Sequence, residues 1–243
     1  MKWLALVLAS GCGAQVNTHA SNQTVDASPG SSVNPVIDAP IPADAPAPTC
    51  ANGRVVYLNF DGQMLVRGGT SDATTNTAAW LGGTSKTVPA FHPTGLTDRA
   101  GTIQTIVDSV KNELSATPIQ VVTTRPSAGP YVMIVLGGSP SNVGTNNDAT
   151  TDHDCGDLVK SDLGWISDSF DPSVVPDVIM GTIGYGLGLD GTADQTDCMC
   201  GWENNCRYTG ACTLSMSIAT SQLFTCQTGT QNEVAAFTTL FCQ

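Results

Sequence analysis

The sequence predicts an α+β domain with two main helices and a disulfide-rich C-terminal part, on three observations. Short apolar runs bounded by turn residues stand at Val55 to Phe60, Ile119 to Thr124 and Tyr131 to Leu136. Two stripes at helical spacing accompany them, Ile103 to Leu114 and Val175 to Leu187. Past Met199 the chain is dense in cysteine. Strand runs and amphipathic helices of this length pack as one layered domain.

Taken in order, the chain opens with Met1-Lys2, an apolar run from Trp3 to Ala9, and Ser10-Gly11-Cys12. A charged start, an apolar stretch and a cysteine after small residues resemble a bacterial lipoprotein signal, with residues 1–11 as the signal and Cys12 as the lipidated residue. An ordinary signal peptide cleaved near Ala14 is the alternative, and both readings export the protein. No other stretch approaches the roughly 20 apolar residues of a membrane span, so a lipid anchor is the only membrane contact expected. Residues 12–49 are rich in Ala, Ser, Asn, Asp and Pro and carry no periodic apolar pattern. Such a segment buries too little to order itself and predicts an extended tether. The domain proper is expected over 50–243, as an upper part 50–191 and a Cys-rich part 192–243.

The formal charge is −12, and removing Lys2 leaves 8 basic against 21 acidic residues, or −13. With no basic patch or basic helix, nucleic acid is not an expected partner. Of nine cysteines, setting Cys12 aside leaves eight: Cys50, Cys155, Cys198, Cys200, Cys206, Cys212, Cys226 and Cys242. An even set in an exported chain predicts disulfides, with the pairing left open. A zinc site at Cys198, Cys200, Cys206 and Cys212 lacks the usual C-x2-C pairs and would sit in an oxidising compartment.

Val55 to Phe60 reads as a strand covered on both faces and ended by Asp61-Gly62. Residues 68–86 are Gly- and Thr-rich around Trp80 and Leu81 and receive no assignment. Ile103, Ile106, Val107, Val110 and Leu114 make one helical stripe, which Pro118 closes. Two strands follow, Ile119 to Thr124 and Tyr131 to Leu136, separated by a Pro- and Gly-marked turn. Asn146 to Asp157 gathers carboxylates around Gly156; calcium is one use for them, a solvated acidic loop the preferred one, since the EF-hand spacing is absent. Leu163 to Ile166, with Trp165, is expected as a short strand at the edge beside a cleft. Pro176 suits the first turn of a helix whose stripe is Val175, Val178, Ile179, Ile183 and Leu187. A last helix from Glu233 should bury Val234, Phe237, Leu240 and Phe241.

Residues 181–191 read Gly-Thr-Ile-Gly-Tyr-Gly-Leu-Gly-Leu-Asp-Gly. Laid over H-E-x-x-H-x-x-G-x-x-H, Gly188 takes the glycine, and Met199 follows the third ligand position by eight residues. With Val-Val-Tyr-Leu-Asn-Phe-Asp-Gly at 55–62, Val-Val-Thr-Thr-Arg-Pro at 121–126 and Ile-Val-Leu-Gly-Gly at 134–138, the segment 54–200 resembles the metzincin, matrixin-type zinc metallopeptidases. The resemblance implies a zincin-like mixed sheet, a central helix ended at Gly188 and a Met-turn at Met199. It also implies a lost active site, because Gly181 and Tyr185 stand where two histidines belong, Thr182 where the glutamate belongs and Gly191 where the third histidine belongs.

Two histidines four apart grip one zinc, and a carboxylate between them takes the proton of the bound water. A glycine donates nothing, a hydroxyl does not ionise near neutral pH, and one phenol does not replace three donors. Four glycines at 181, 184, 186 and 188 each cost about 1 kcal/mol inside a helix, which points to descent from a catalytic motif. The turn explains Gly188, and close approach to a neighbouring strand is the expectation for Gly184. Gly181 and Gly186 have no such account. The function expected is a catalytically inactive, metallopeptidase-like surface lipoprotein that holds an extended peptide or another surface protein by strand addition, with no cofactor and zinc lost. The alternatives are a divergent zinc peptidase rebuilt from His92, His153, Tyr185, Asp190, Asp194, Asp197 and Glu203, or a structural lipoprotein whose cleft is filled by side chains such as Tyr185.

Overall fold

A computed structural model describes residues 54–202, 206–221, 226 and 229–242; Cys12, the tether and Cys50 lie outside the described residues. Along the chain run β1 (Val55–Asn59), β2 (Gln63–Arg67), β3 (Thr77–Ala78), β4 (Ser85–Val88), α1 (Arg99–Glu113), β5 (Gln120–Val122) and β6 (Tyr131–Leu136). Then come α2 (Pro140–Val143), β7 (Ala149–Thr150), β8 (Leu163–Ile166), α3 (Val175–Gly186), β9 (Ile218–Ala219), β10 (Thr230–Gln231) and α4 (Glu233–Thr239). The main sheet has the order β5-β1-β6-β8-β7. Its first four strands are parallel and β7 is antiparallel to β8, so the sheet is mixed and the domain α+β.

The alternation of β1 divides two cores. Val56, Leu58 and Phe60 join the layer that holds α1, α3 and α4, and Tyr57 joins the opposite one. β6 does the same with all six residues buried, Val132, Ile134 and Leu136 towards the helices and Tyr131, Met133 and Val135 away from them. A parallel strand covered on both faces has this composition because every side chain must be apolar. α1 begins at Asp98, whose Oδ1 accepts the Gly101 N–H at 2.9 Å, and buries Ile106, Val107 and Val110. α4 buries Phe237, and Phe241 follows it into the same core, while Val234 is half-buried.

Residues 63–88, where no strand was expected beyond β1, form a second sheet in the order β3-β2-β4. Leu65, Ala73, Ala78, Leu81 and Val88 from this segment roof the second core, and Trp80 Nε1 donates to Leu163 O at 2.9 Å. The expected strand at 163–166 is present, but it is not the edge. β8 lies between β6 and β7, and Trp165 is 0% exposed with its Nε1 donating to Gly137 O. The edge is β7, drawn from the polar run that was expected to be loop. That run is not simply solvated either. Asp157, at φ +55, is fully buried, accepts from Arg54 Nη1 at 2.9 Å and from Lys160 Nζ at 2.9 Å, and anchors an Arg54 that stacks over Phe241.

Disulfides join Cys155 to Cys226, Cys198 to Cys212 and Cys200 to Cys206, and Cys242 is disulfide-bonded too. They suit export to an oxidising compartment. Among the described residues no helix is long and apolar enough to cross a membrane.

Candidate functional site

The site is built on α3. Pro176 lies in its first turn, and Asp177 beside it accepts the Cys212 N–H at 2.8 Å, a negative charge where the helix dipole favours one. Val175 through Gly184 are all buried. The helix closes as a Schellman turn: the Leu189 N–H reaches Gly184 O and the Gly188 N–H reaches Tyr185 O, both at 3.0 Å, with Gly188 at φ +80. A Cβ on Gly188 would lie 2.8 Å from Asp154 O. The acidic loop therefore rests directly on the helix end.

Positions 181, 182, 185 and 191 have different surroundings. Gly181 and Gly191 are buried, and Gly191 O accepts from the Ser221 N–H and hydroxyl at 3.0 and 2.9 Å. Thr182 turns to the sheet: its Oγ1 donates to Val178 O at 2.7 Å, and its methyl fills the space a side chain at Gly164 would need. Here a glycine does let helix and strand approach, but it is Gly164 of β8. Gly184 instead makes room for Met199, whose Sδ would lie 2.5 Å from an added Cβ. Met199 is fully buried under the helix, and its N–H is held by Asp197 Oδ1 at 2.9 Å.

Tyr185 is half-buried, and the His153 ring stacks on it with centroids 4.2 Å apart and planes 29° apart. Burial raises the Tyr185 phenol above its ordinary value, and the nearby Asp190 adds to this. His153 Nε2 lies 3.2 Å from Asp190 Oδ1 and 3.2 Å from Leu189 O. Its other nitrogen, Nδ1, lies 3.4 Å from Cys226 Sγ. Asp190 is fully buried, and its backbone N–H and C=O are both held by the Gln231 amide, at 2.8 and 2.9 Å. One cluster thus unites Tyr185, His153, Asp190 and the Cys155–Cys226 disulfide.

The other described residues considered for a rebuilt site, His92, Asp194 and Asp197, have their contacts elsewhere. His92 is exposed, with its backbone N–H on Asp168. Asp194 is exposed and caps Thr196, Asp197 serves the Met199 turn, and Glu203 lies outside the described residues. Among the described residues two groups of three have ligand atoms within 4.8 Å of one another, His153 with Cys155 and Cys226, and Glu113 with Asp177 and Cys212. In both the cysteines are disulfide-bonded, and a metal needs thiolate. The sequence pointed to 181–191 but gave no sign that His153, from a loop 32 residues before Tyr185, covers its ring. Two residues past His153, Cys155 is joined to Cys226 by a disulfide that spans 71 residues.

No protein-family model, curated protein or solved structure matches this chain, so what the site does has to follow from its own geometry.

Proposed function

We propose that this chain is a catalytically inactive, metallopeptidase-like domain of an exported bacterial lipoprotein, and that it holds an extended segment of a peptide or another surface protein along β7. The observation that carries the reading is the combination of a retained frame and a missing site. The helix, its glycine turn and the methionine packed beneath it agree with what the zincin resemblance implies. The residues at 181, 182, 185 and 191 do not fit zinc, because two are glycines, the threonine hydroxyl is committed to Val178 O and the tyrosine ring is covered by His153. Zinc asks for three or four donors at about 2.0–2.3 Å.

Binding without cleavage needs a place for a peptide backbone, and β7 supplies it. The Ser167 N–H donates to Asp148 O at 2.8 Å, and Thr150 faces Trp165 in the antiparallel ladder. Inward and outward residues alternate in such a ladder, so Ala149 directs its N–H and C=O away from β8, to the open edge of the sheet. A peptide laid there gains main-chain hydrogen bonds next to the α3 end.

The test is a titration of fluorescent extended peptides by anisotropy, with Ala149→Pro as the variant. Proline removes the outward N–H and leaves the inward bonds of Asp148 and Thr150. Affinity should fall by roughly tenfold, the worth of about one hydrogen bond and its desolvated partner; equal binding by the variant would overturn strand addition. Metal analysis of the same protein after dialysis against trace zinc tests the inactive reading. One tightly held equivalent would favour the divergent peptidase, for which the approach of His153 Nε2 and Asp190 Oδ1 to 3.2 Å is the supporting feature.

A further inference from the structure

We propose that the cleft between residues 70–77 and residues 159–161 binds a neutral saccharide. It uses none of the residues on which peptide binding along β7 rests.

The cleft has a volume of about 430 Å³, within the roughly 300–1,000 Å³ of small-molecule sites. Such sites are mostly lined by apolar and aromatic side chains. Here Val159 is the one hydrocarbon side chain among the described lining residues, and apart from Asp72 and Lys160 the rest are serines and threonines. A ligand held by burial of apolar surface finds too little to bury against, so recognition falls to hydrogen bonds.

The main chain of the wall is already engaged. Residues 72–77 close on themselves, with the Asp72 N–H on Thr77 O at 2.8 Å and the Thr77 N–H on Asp72 O at 3.0 Å. The Ala73 N–H donates to Ser161 O at 2.8 Å and ties one wall to the other. Strand addition needs unpaired backbone groups, and these bonds take them up. Side chains are what the cleft offers instead. Among the described residues the Thr70 and Ser161 hydroxyls have no partner. Asp72 Oδ1 accepts the Thr74 N–H at 2.8 Å and the Thr74 hydroxyl at 2.7 Å, which leaves Oδ2 as an acceptor. Lys160 Nζ donates to Asp157 Oδ2 at 2.9 Å and carries two more N–H groups. Donors and acceptors are therefore mixed over the same walls, and the hydroxyls of a saccharide, which both donate and accept, match that mixture.

Charge points the same way. The positive charge of Lys160 is offset by Asp157, so an anion gains little there. Asp72 is a single carboxylate, and a lone ion pair at a surface contributes little. The bonds from Asp72 to Thr74 and from Ala73 to Ser161 fix the walls before a ligand arrives, which lowers the ordering cost of binding.

The test uses the full chain in its oxidised form, titrated by isothermal calorimetry with maltose, cellobiose, lactose and chitobiose. Glycine, free lysine and inorganic phosphate are titrated alongside as charged ligands. At least one saccharide should bind, with an affinity that does not change between low and physiological salt. Thr70→Val and Ser161→Ala should each weaken it roughly three- to tenfold, the worth of one neutral hydrogen bond. Their urea midpoints should stay at the wild-type value, because neither hydroxyl holds another part of the fold. Binding of no saccharide, binding of the charged ligands alone, or wild-type affinity in both folded variants would each overturn the proposal.

Discussion

Gly184 and Gly186 stand two residues apart in α3, and their surroundings predict opposite responses to the same added methyl group. In Gly184→Ala the new Cβ would lie 2.5 Å from Met199 Sδ, 3.2 Å from Leu189 Cδ1 and 3.4 Å from Phe237 Cε2. Met199 is fully buried, so the sulfur can yield only by displacing core neighbours. Overpacking of this kind costs about 1–3 kcal/mol, against a helix-propensity gain of about 1 kcal/mol. The net is a loss of up to about 2 kcal/mol. In Gly186→Ala the nearest atom is Asp162 Oδ2 at 3.5 Å, an ordinary contact. The methyl costs nothing sterically, and at the last residue of the helix the gain is about 0.5–1 kcal/mol.

Urea denaturation of the oxidised protein measures both, through a shift of the midpoint at constant m. The variants should straddle the wild type, and Gly184→Ala in a Met199→Ala background should lose its penalty, a coupling of about 1–2 kcal/mol. If Gly184→Ala proved as stable as Gly186→Ala, the methionine would not be packed under the helix at this point.

Two further predictions follow from buried charge. Asp157→Asn keeps a residue type that tolerates φ +55 but leaves Arg54 buried without its counter-ion, so the domain should lose about 3–5 kcal/mol in the same denaturation assay. Glu113 is held to about 8, from an ordinary 4.5, first by burial and then by Asp177, and among the described residues its Oε2 has no hydrogen-bond partner. The native state thus keeps a proton that the unfolded chain releases, so this contribution is fully present below pH 4.5 and is lost as pH rises through about 8. Glu113→Gln should raise the melting temperature at pH 8 relative to wild type and change it little at pH 4; an equal shift at both pH values would refute the assignment.

What the sequence made legible was whatever an apolar period could report. β1, β6, α1 and α3 are long enough for their stripes to show, and their stripes decide which core they enter. The second sheet was not legible, because β3 is the pair Thr77–Ala78 and β2 exposes Met64 and Val66 while burying Leu65. The edge was misplaced for a related reason. Leu163 to Ile166, with Trp165, was expected at the edge, yet the two-residue strand that covers β8, Ala149–Thr150, has no apolar signature at all and is set by the Ser167 N–H donating to Asp148 O. Glycines misled in the same way: Gly164 serves the close approach attributed to Gly184, and Gly184 serves a methionine fifteen positions on, which no local pattern can announce.

The candidate site shows the same limit most sharply. Residues 181–191 carry the spacing on which the zincin resemblance rests, but nothing in them announces His153, which stacks on Tyr185 from the loop that holds Cys155. Cys155–Cys226 pins the loop on which His153 is carried, Gly188 gives that loop a seat, and Gln231 fixes the backbone of Asp190 from the far end of the chain. Each part is unremarkable in sequence. Together they place an imidazole between a buried carboxylate and a sulfur, over the end of the helix that carries residues 181–186.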